Sequence, residues 1–125
     1  MMDIAESGFR FRFAMMQNFS TDDLDIADVN TAWFDIDKLI FPLSIRNFKP
    51  GDRMSLLGMQ GHQKIKKLFG DRKIPIDRRH CMPILVSGDE IIWVAGIRRS
   101  ALAIPTSRTT QVLKVQILDN PCEIH

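Results

Sequence analysis

The chain has few of the features that mark secreted, metal-binding or membrane proteins. It contains two cysteines, Cys81 and Cys122, which are far apart and form no C-x-x-C pair. They predict neither a disulfide framework nor a zinc site, and we expect two free thiols. No apolar run approaches the ~18 residues of a membrane span, and the N-terminus lacks the basic and then apolar layout of a signal peptide. We therefore expect a cytoplasmic protein without a membrane partner.

Catalytic motifs are absent as well. The sequence has no G-x-S-x-G nucleophile elbow, no G-x-x-x-x-G-K-[ST] or G-x-G-x-x-G phosphate loop and no H-E-x-x-H zinc helix. Because no nucleophile is paired with a base, we predict no catalytic residue in this chain. We also predict no metal ligand, since the histidines are scattered.

Length and composition predict one folded domain. The 125 residues fall within the usual range of about 100–150 for a single domain. Hydrophobic residues make up 45% and charged residues 26% of the chain, which is typical of a globular protein that buries a core.

The net charge of +2 conceals a strong division along the chain. Residues 1–41 carry a net charge of −5, residues 42–80 carry +7 and residues 81–125 carry 0. A positive segment of this density suits a polyanion such as nucleic acid, whereas a merely solvated surface usually mixes both signs. The segment holds ten lysines and arginines: Arg46, Lys49, Arg53, Lys64, Lys66, Lys67, Arg72, Lys73, Arg78 and Arg79.

Alternating apolar residues predict several strands. Phe9, Phe11 and Phe13 fall on one face of a strand that begins the chain. Residues 83–86 and 91–96 form a predicted hairpin whose second arm is apolar on both faces and therefore interior. A last strand is predicted at Thr109 to Leu118.

A turn and a helix are predicted within the positive segment. In Lys49-Pro50-Gly51-Asp52, proline suits the first central position of a turn and glycine accepts positive φ at the second. Apolar side chains spaced three and four apart predict a short helix over Gln60 to Phe69, with Gly70 as its left-handed C-terminal cap. Lys66 and Lys67 fall on the far face of this helix and should face solvent.

The N-terminal quarter is expected to differ from the rest. Residues 20–28 are acidic and poor in large apolar groups, which is typical of a surface loop. We divide the chain into an N-terminal strand with an acidic linker, residues 1–30, and a C-terminal domain, residues 31–125.

A series of short motifs in fixed order covers about 90 of the 125 residues. The motifs are Trp33-Phe34-Asp35, Phe41-Pro42-Leu43, Ile45-Arg46, Lys49-Pro50-Gly51-Asp52-Arg53, Gly58-Met59, Lys66-Lys67-Leu68-Phe69, Lys73-Ile74-Pro75, Arg78, Pro83 and Trp93 to Gly96. This series resembles the C-terminal domain of tRNA(Ile)-lysidine synthetase. Residues 1–28 carry none of it.

The resemblance implies a fold and a role. The fold is α+β, a mostly antiparallel sheet with one or two short helices, resembling a domain of the phenylalanyl-tRNA synthetase β chain. The family's whole enzyme is a ligase that adenylates cytidine 34 of tRNA(Ile) with ATP and then joins lysine. It uses an N-terminal domain with an S-G-G-x-D-S loop, which this chain lacks. The resemblance implies a non-catalytic module, without a cofactor of its own, whose partners are tRNA(Ile) and the enzyme's N-terminal catalytic domain.

The ten cations become candidate RNA-binding residues on two grounds. Six match the family's motif cations: Arg46, Arg53, Lys66, Lys67, Lys73 and Arg78. Four are added because they are positive and close in sequence: Lys49, Lys64, Arg72 and Arg79. Trp33 and Trp93 also match the motifs, and we assign both to the core.

An alternative hypothesis is a protein-interaction or dimerisation module. In that case the positive segment docks against an acidic arm, either its own or that of a second copy in a homodimer. Residues 20–28 could then pair with residues 64–79.

Overall fold

The computed structural model of the chain describes residues 2–6, 9–17, 24 and 29–119. In chain order the strands are β1 (Met2–Glu6), β2 (Phe9–Gln17), β3 (Thr31–Asp35), β4 (Leu43–Asn47), β5 (Arg53–Ser55), β6 (His62–Lys64), β7 (Pro83–Ser87), β8 (Glu90–Val94), β9 (Arg98–Arg99) and β10 (Gln111–Asp119). The helices are a 3-10 turn (Ile36–Lys38), α1 (Ile65–Asp71) and α2 (Ile76–Arg79).

The first sheet joins the two ends of the described chain. Its order is β1-β2-β10-β3 and every pairing is antiparallel. Leu113 of β10 lies opposite Met15 on one side and Phe34 on the other. Residues 9–17 therefore belong to the same sheet as β3 and β10.

The second sheet has the order β4-β7-β8-β9 and is also antiparallel. β5 and β6 form a separate two-stranded antiparallel pair that runs directly into α1. The loop between β7 and β8 is the predicted tight hairpin, in which Ser87 lies opposite Glu90.

Two hydrophobic cores cover the two faces of the second sheet. Leu85 of β7 and Trp93 of β8 belong to the first core, which also holds Phe9, Phe11 and Phe34 from the first sheet. The second core contains side chains from β5, α1 and the other face of β7 and β8: Met54, Leu56, Ile65, Leu68, Phe69, Ile74, Met82, Ile84, Val86, Ile91 and Val94. The second sheet is thus the middle layer of the molecule, which explains why every residue of β7 is buried.

The predicted fold class is confirmed, since the described chain consists of antiparallel sheets with two short α-helices. The predicted core positions of Trp33 and Trp93 are confirmed too, at 6% and 2% exposure. The helix prediction was wrong at both ends. Residues 62–64 form a strand, and Gly70 lies within α1 rather than capping it.

Two further expectations concern parts of the chain that are only partly described. Cys81 is disulfide-bonded, so the expectation of two free thiols is wrong for this residue. Cys122 and all but Leu24 of the acidic segment 20–28 lie outside the described residues.

Within the described ranges, no helix is long and apolar enough to cross a membrane.

The first core generates a stability prediction. Phe11 is 1% exposed in β2, whereas Met15 of the same strand is 65% exposed. Phe11→Ala should lower the free energy of unfolding by about 3–5 kcal/mol because it removes a buried ring and leaves a cavity. Met15→Ala should change it by less than about 0.5 kcal/mol. Urea denaturation measures both, and equal losses would contradict the inward orientation of Phe11.

Candidate nucleic-acid interface

The turn between β4 and β5 has the predicted geometry. The Asp52 N–H donates to the carbonyl oxygen of Lys49 at 3.1 Å, which closes a four-residue turn. Gly51 takes a φ of 92°, a value that glycine adopts at little cost and that a type II turn requires at this position. The turn places Lys49 and Arg53 at its two ends, and both side chains are exposed.

Asp52 fixes the turn through an ion pair with Arg46. The Arg46 Nη1 and Nη2 atoms donate to Asp52 Oδ2 and Oδ1, each at 2.9 Å, in a bidentate pair. The Lys49 N–H donates to Asp52 Oδ2 at 2.8 Å. Burial alone would raise the pKa of Asp52, but the hydrogen bonds from Arg46 and Lys49 outweigh it and the pKa is lowered. The same hydrogen bond raises the pKa of Arg46.

The β5–β6 pair carries two further cations side by side. Arg53 lies directly opposite Lys64 in the register, and both are exposed. Like charges in such a cross-strand pair destabilise a sheet. The Ile65 N–H donates to the Asp52 carbonyl oxygen at 3.0 Å, which connects the start of α1 to the turn.

Helix α1 is oriented by its apolar side. Ile65, Leu68 and Phe69 are buried in the second core, while Lys66 and Lys67 between them are exposed. The first turn of α1 contains no acidic residue, and no side chain caps it. Its two lysines therefore lie near the positive end of the helix dipole, where a cation is unfavourable.

Lys73 holds the position that glycine usually occupies after a helix. The Ile74 N–H donates to the Phe69 carbonyl at 2.9 Å and the Lys73 N–H to the Gly70 carbonyl at 3.0 Å. These bonds define a Schellman motif, and Ile74 and Phe69 supply its hydrophobic contact in the second core. Lys73 accordingly adopts a φ of 56°, a left-handed conformation that costs a non-glycine residue about 1–2 kcal/mol.

Helix α2 is connected to the second core through Phe69 of α1. The Phe69 ring packs edge-on against Phe48 at 4.9 Å between centroids, and the Arg79 guanidinium lies 5.8 Å from the Phe69 centroid. Arg79 Nε also donates to the Ile74 carbonyl at 2.9 Å. One aromatic residue of α1 thus connects the β4–β5 turn with α2.

The structure divides the ten candidate cations into two groups. Arg46 and Arg79 are half-buried and hold neighbouring parts of the chain. The other eight are exposed and form no ion pair with any described residue: Lys49, Arg53, Lys64, Lys66, Lys67, Arg72, Lys73 and Arg78. We call these eight the basic surface.

Sequence reasoning missed two other arginines. Arg98 and Arg99 of β9 lie with Arg72 in the walls of one cleft. Segment counting gave no signal for them because residues 81–125 carry no net charge. Only the fold brings β9 next to the end of α1.

Comparison with known proteins identifies the family. Residues 43–115 match the model of the TilS substrate C-terminal domain. A tRNA(Ile)-lysidine synthase from Geobacter sulfurreducens is 42% identical over 87 residues, which cover 68% of this chain. The chain belongs to the TilS substrate C-terminal domain family. The aligned part spans 18% of the length of the Geobacter protein.

Two solved structures have the same fold as this chain. A crystal structure of a TilS C-terminal domain superimposes with a TM-score of 0.77 at 25% identity, covering 90% of this chain and 87% of that one. An N-terminal fragment of the phenylalanyl-tRNA synthetase β-subunit from Pyrococcus horikoshii gives a TM-score of 0.69 at 13% identity, covering 86% and 38%. The second match shows a shared fold, as the sequence motifs of this family implied.

The Arg46–Asp52 pair generates a pH-dependent prediction. Arg46→Met should lower the free energy of unfolding at pH 7 by about 1–2 kcal/mol, because the half-buried Asp52 carboxylate loses its charged partner. The folded pKa of Asp52 is below its usual 3.8, so this stabilisation is complete above that pH and disappears as the pH falls through the folded value. The difference between wild type and variant should therefore shrink as the pH falls below 3.8.

Urea denaturation at pH 7 and at a series of pH values below 3.8 measures this difference. Arg108→Met is the matched control, since Arg108 is exposed and forms no ion pair with a described residue. A loss for Arg46→Met that stays constant across this pH series would contradict an electrostatic origin.

Proposed function

We propose that the chain is a tRNA-binding module that holds tRNA(Ile) through its basic surface while a separate catalytic domain adds lysine to cytidine 34 with ATP. The module itself performs no catalysis in this proposal. Its partners are tRNA(Ile) and the catalytic domain of the same enzyme.

The observation that carries the proposal is where the cations lie. Three features cost stability, namely Arg53 opposite Lys64, Lys66 and Lys67 at the positive end of a helix, and Lys73 with positive φ. No described carboxylate forms an ion pair with these side chains to compensate. Violations of local rules that cluster in one place indicate selection for binding rather than for stability.

The expected contacts are with the RNA backbone. An A-form stem hides its base edges in a deep, narrow major groove and presents phosphates and 2′-hydroxyls to a protein. Lysine and arginine tips on a turn, a strand pair and a short helix can reach several phosphates at once. Such contacts position the RNA and carry little sequence information.

Arg46 and Arg79 support the surface in this proposal. Arg46 holds the turn that carries Lys49 and Arg53, and Arg79 packs on Phe69 beneath α1. Direct contact of Arg46 or Arg79 with RNA, which the sequence predicted, is not tested by their positions and stays a prediction.

A salt titration tests the proposal. Labelled tRNA(Ile) transcript is titrated with the 125-residue chain at several salt concentrations. If about five phosphates are neutralised, the log-log slope of affinity against salt should be roughly −3.5 to −4.5. A slope near zero would contradict a phosphate-binding surface.

Charge reversal then locates the surface. The double variant Lys66→Glu with Lys67→Glu should weaken binding at least about tenfold and make the salt slope shallower by roughly 1.4 or more, since two phosphate contacts are lost. Arg108→Glu is the matched control on an exposed position outside the basic surface and should bind like wild type. An unchanged affinity of the folded double variant would exclude α1 from the interface.

Lys73 provides a test in which stability and binding should change in opposite directions. Lys73→Gly should raise the free energy of unfolding by about 1 kcal/mol because glycine adopts positive φ without strain. The same change should weaken tRNA binding about two- to fivefold, since one phosphate contact is lost. Lys73→Ala serves as the comparison, because it loses the contact and keeps the strain. Unchanged RNA affinity in both variants would remove Lys73 from the interface.

The alternative role as a protein-interaction or dimerisation module predicts a different result. Its test neutralises the acidic segment with the substitutions Asp22→Asn, Asp23→Asn, Asp25→Asn and Asp28→Asn, which change no residue of β2 or β3. If that segment pairs with residues 64–79, these substitutions should tighten tRNA binding or change the oligomeric state in sedimentation. If the basic surface serves RNA alone, neither should change beyond a small electrostatic effect.

A further inference from the structure

A cleft of about 570 Å³ opens next to the end of α1. Its walls include Trp33 of β3, Trp93 of β8 and both residues of β9, together with Leu57 and Arg72. The volume falls within the range of about 300–1,000 Å³ that is typical of small-molecule sites.

The charged residues among the described walls of the cleft are all arginines. Arg72, Arg98 and Arg99 line it together with Leu24 and other residues, and none of the described lining residues is an aspartate or a glutamate. Arg72 and Arg98 are exposed, so their guanidinium groups are available to a ligand. Cations grouped along a low-dielectric wall produce a stronger field than the same cations on an open surface. The cleft is therefore suited to an anion.

Arg99 adds a half-buried positive charge. Its guanidinium donates to the carbonyl oxygens of Ser100, Trp33 and Leu102 and lies 4.5 Å from the Phe34 ring centroid. No described carboxylate forms an ion pair with it. Burial lowers its pKa to about 10, which still leaves the group cationic at neutral pH. An anion in the cleft would supply the missing counter-charge.

Trp33 adds an unsatisfied hydrogen-bond donor. The residue is only 6% exposed, and its indole Nε1 has no hydrogen-bond partner in the described part of the chain. This group can only donate, so a ligand would have to offer an acceptor oxygen or nitrogen. Buried polar groups are rarely left without a partner, so this donor is an unusual feature of a residue in the cleft wall.

The remaining walls suit a flat apolar body. Leu57 is 72% exposed, and Ile97, Ile104 and Pro105 complete an aliphatic lining. An unstacked base fits such a surface, and guanidinium planes can also stack on bases. Arg72 belongs both to the cleft and to the basic surface, so the cleft continues the surface proposed to bind phosphates.

We propose that this cleft captures one unpaired nucleotide of the RNA held on the basic surface, with the phosphate at Arg72 and Arg98 and the base against the aliphatic wall. The inference rests on the proposed function and extends it, because it adds a single-stranded contact to the recognition of a stem.

RNA hairpins test the capture directly. A blunt-ended hairpin and the same stem with a four-nucleotide 3′ tail are each titrated with the 125-residue chain. The tail should tighten binding at least about fivefold, the scale of one stacked base. Arg98→Ala should abolish this gain and leave binding of the blunt hairpin unchanged. The matched control Arg108→Ala should keep both affinities, and circular dichroism checks that each variant is folded.

Free nucleotides test the cleft without the basic surface. AMP should change the fluorescence of Trp33 and Trp93, which lie in the cleft wall, whereas adenosine and inorganic phosphate should do so only at about tenfold higher concentration. Arg98→Ala should weaken the AMP response by a similar factor. This readout separates a nucleotide site from a simple phosphate site.

The outcomes separate the two proposals. Equal binding of both hairpins with no AMP response would overturn the cleft and leave the proposed function standing. If neither hairpin nor tRNA(Ile) binds, the proposed function is overturned. If AMP still changes the fluorescence when no RNA binds, the cleft binds free nucleotides and does not capture a nucleotide of bound RNA. Inorganic phosphate acting as well as AMP would overturn base recognition.

Discussion

The burial of the second sheet on both faces is the constraint on which the rest of the structure depends. Leu85 and Trp93 point into one core, while Ile84 and Val94 point into the other. A sheet buried on both sides needs a layer on each, and the chain supplies the first sheet on one side and β5 with α1 on the other. Helix α1 is only seven residues long and would be marginal alone, so this packing is what makes it stable.

The basic surface is a consequence of that packing. Because Ile65, Leu68 and Phe69 are buried on one side of α1, Lys66 and Lys67 lie on the side that faces solvent. The same packing accepts a left-handed lysine after the helix and two opposed cations in the β5–β6 pair. Asp52 does not offset these cations, because its two oxygens are already occupied by Arg46. These features lower the stability of the fold and leave the cations of the basic surface without a counter-charge from a described residue.

Periodicity and charge were enough to predict much of the molecule. The hairpin of β7 and β8, the turn at Gly51 and the core positions of both tryptophans follow from local patterns, since each depends on near neighbours in sequence. The helix boundary could not be predicted this way. Residues 62–64 pair with β5 instead of joining α1, and a cross-strand partner is not visible in a local pattern.

The sequence by itself determined that residues 42–80 would be strongly positive and predicted several strands and a short helix, because composition and alternation are properties of the chain. The antiparallel α+β fold class was implied by the resemblance of its motifs to a known family. Tertiary structure alone decided which cations are engaged and which are exposed. It also brought Arg72, Arg98 and Arg99 to one cleft, although 25 residues separate Arg72 from the nearer of the other two in sequence. The physical reason is that a pairing or a cleft depends on distances between segments, and these are set only when both cores are packed.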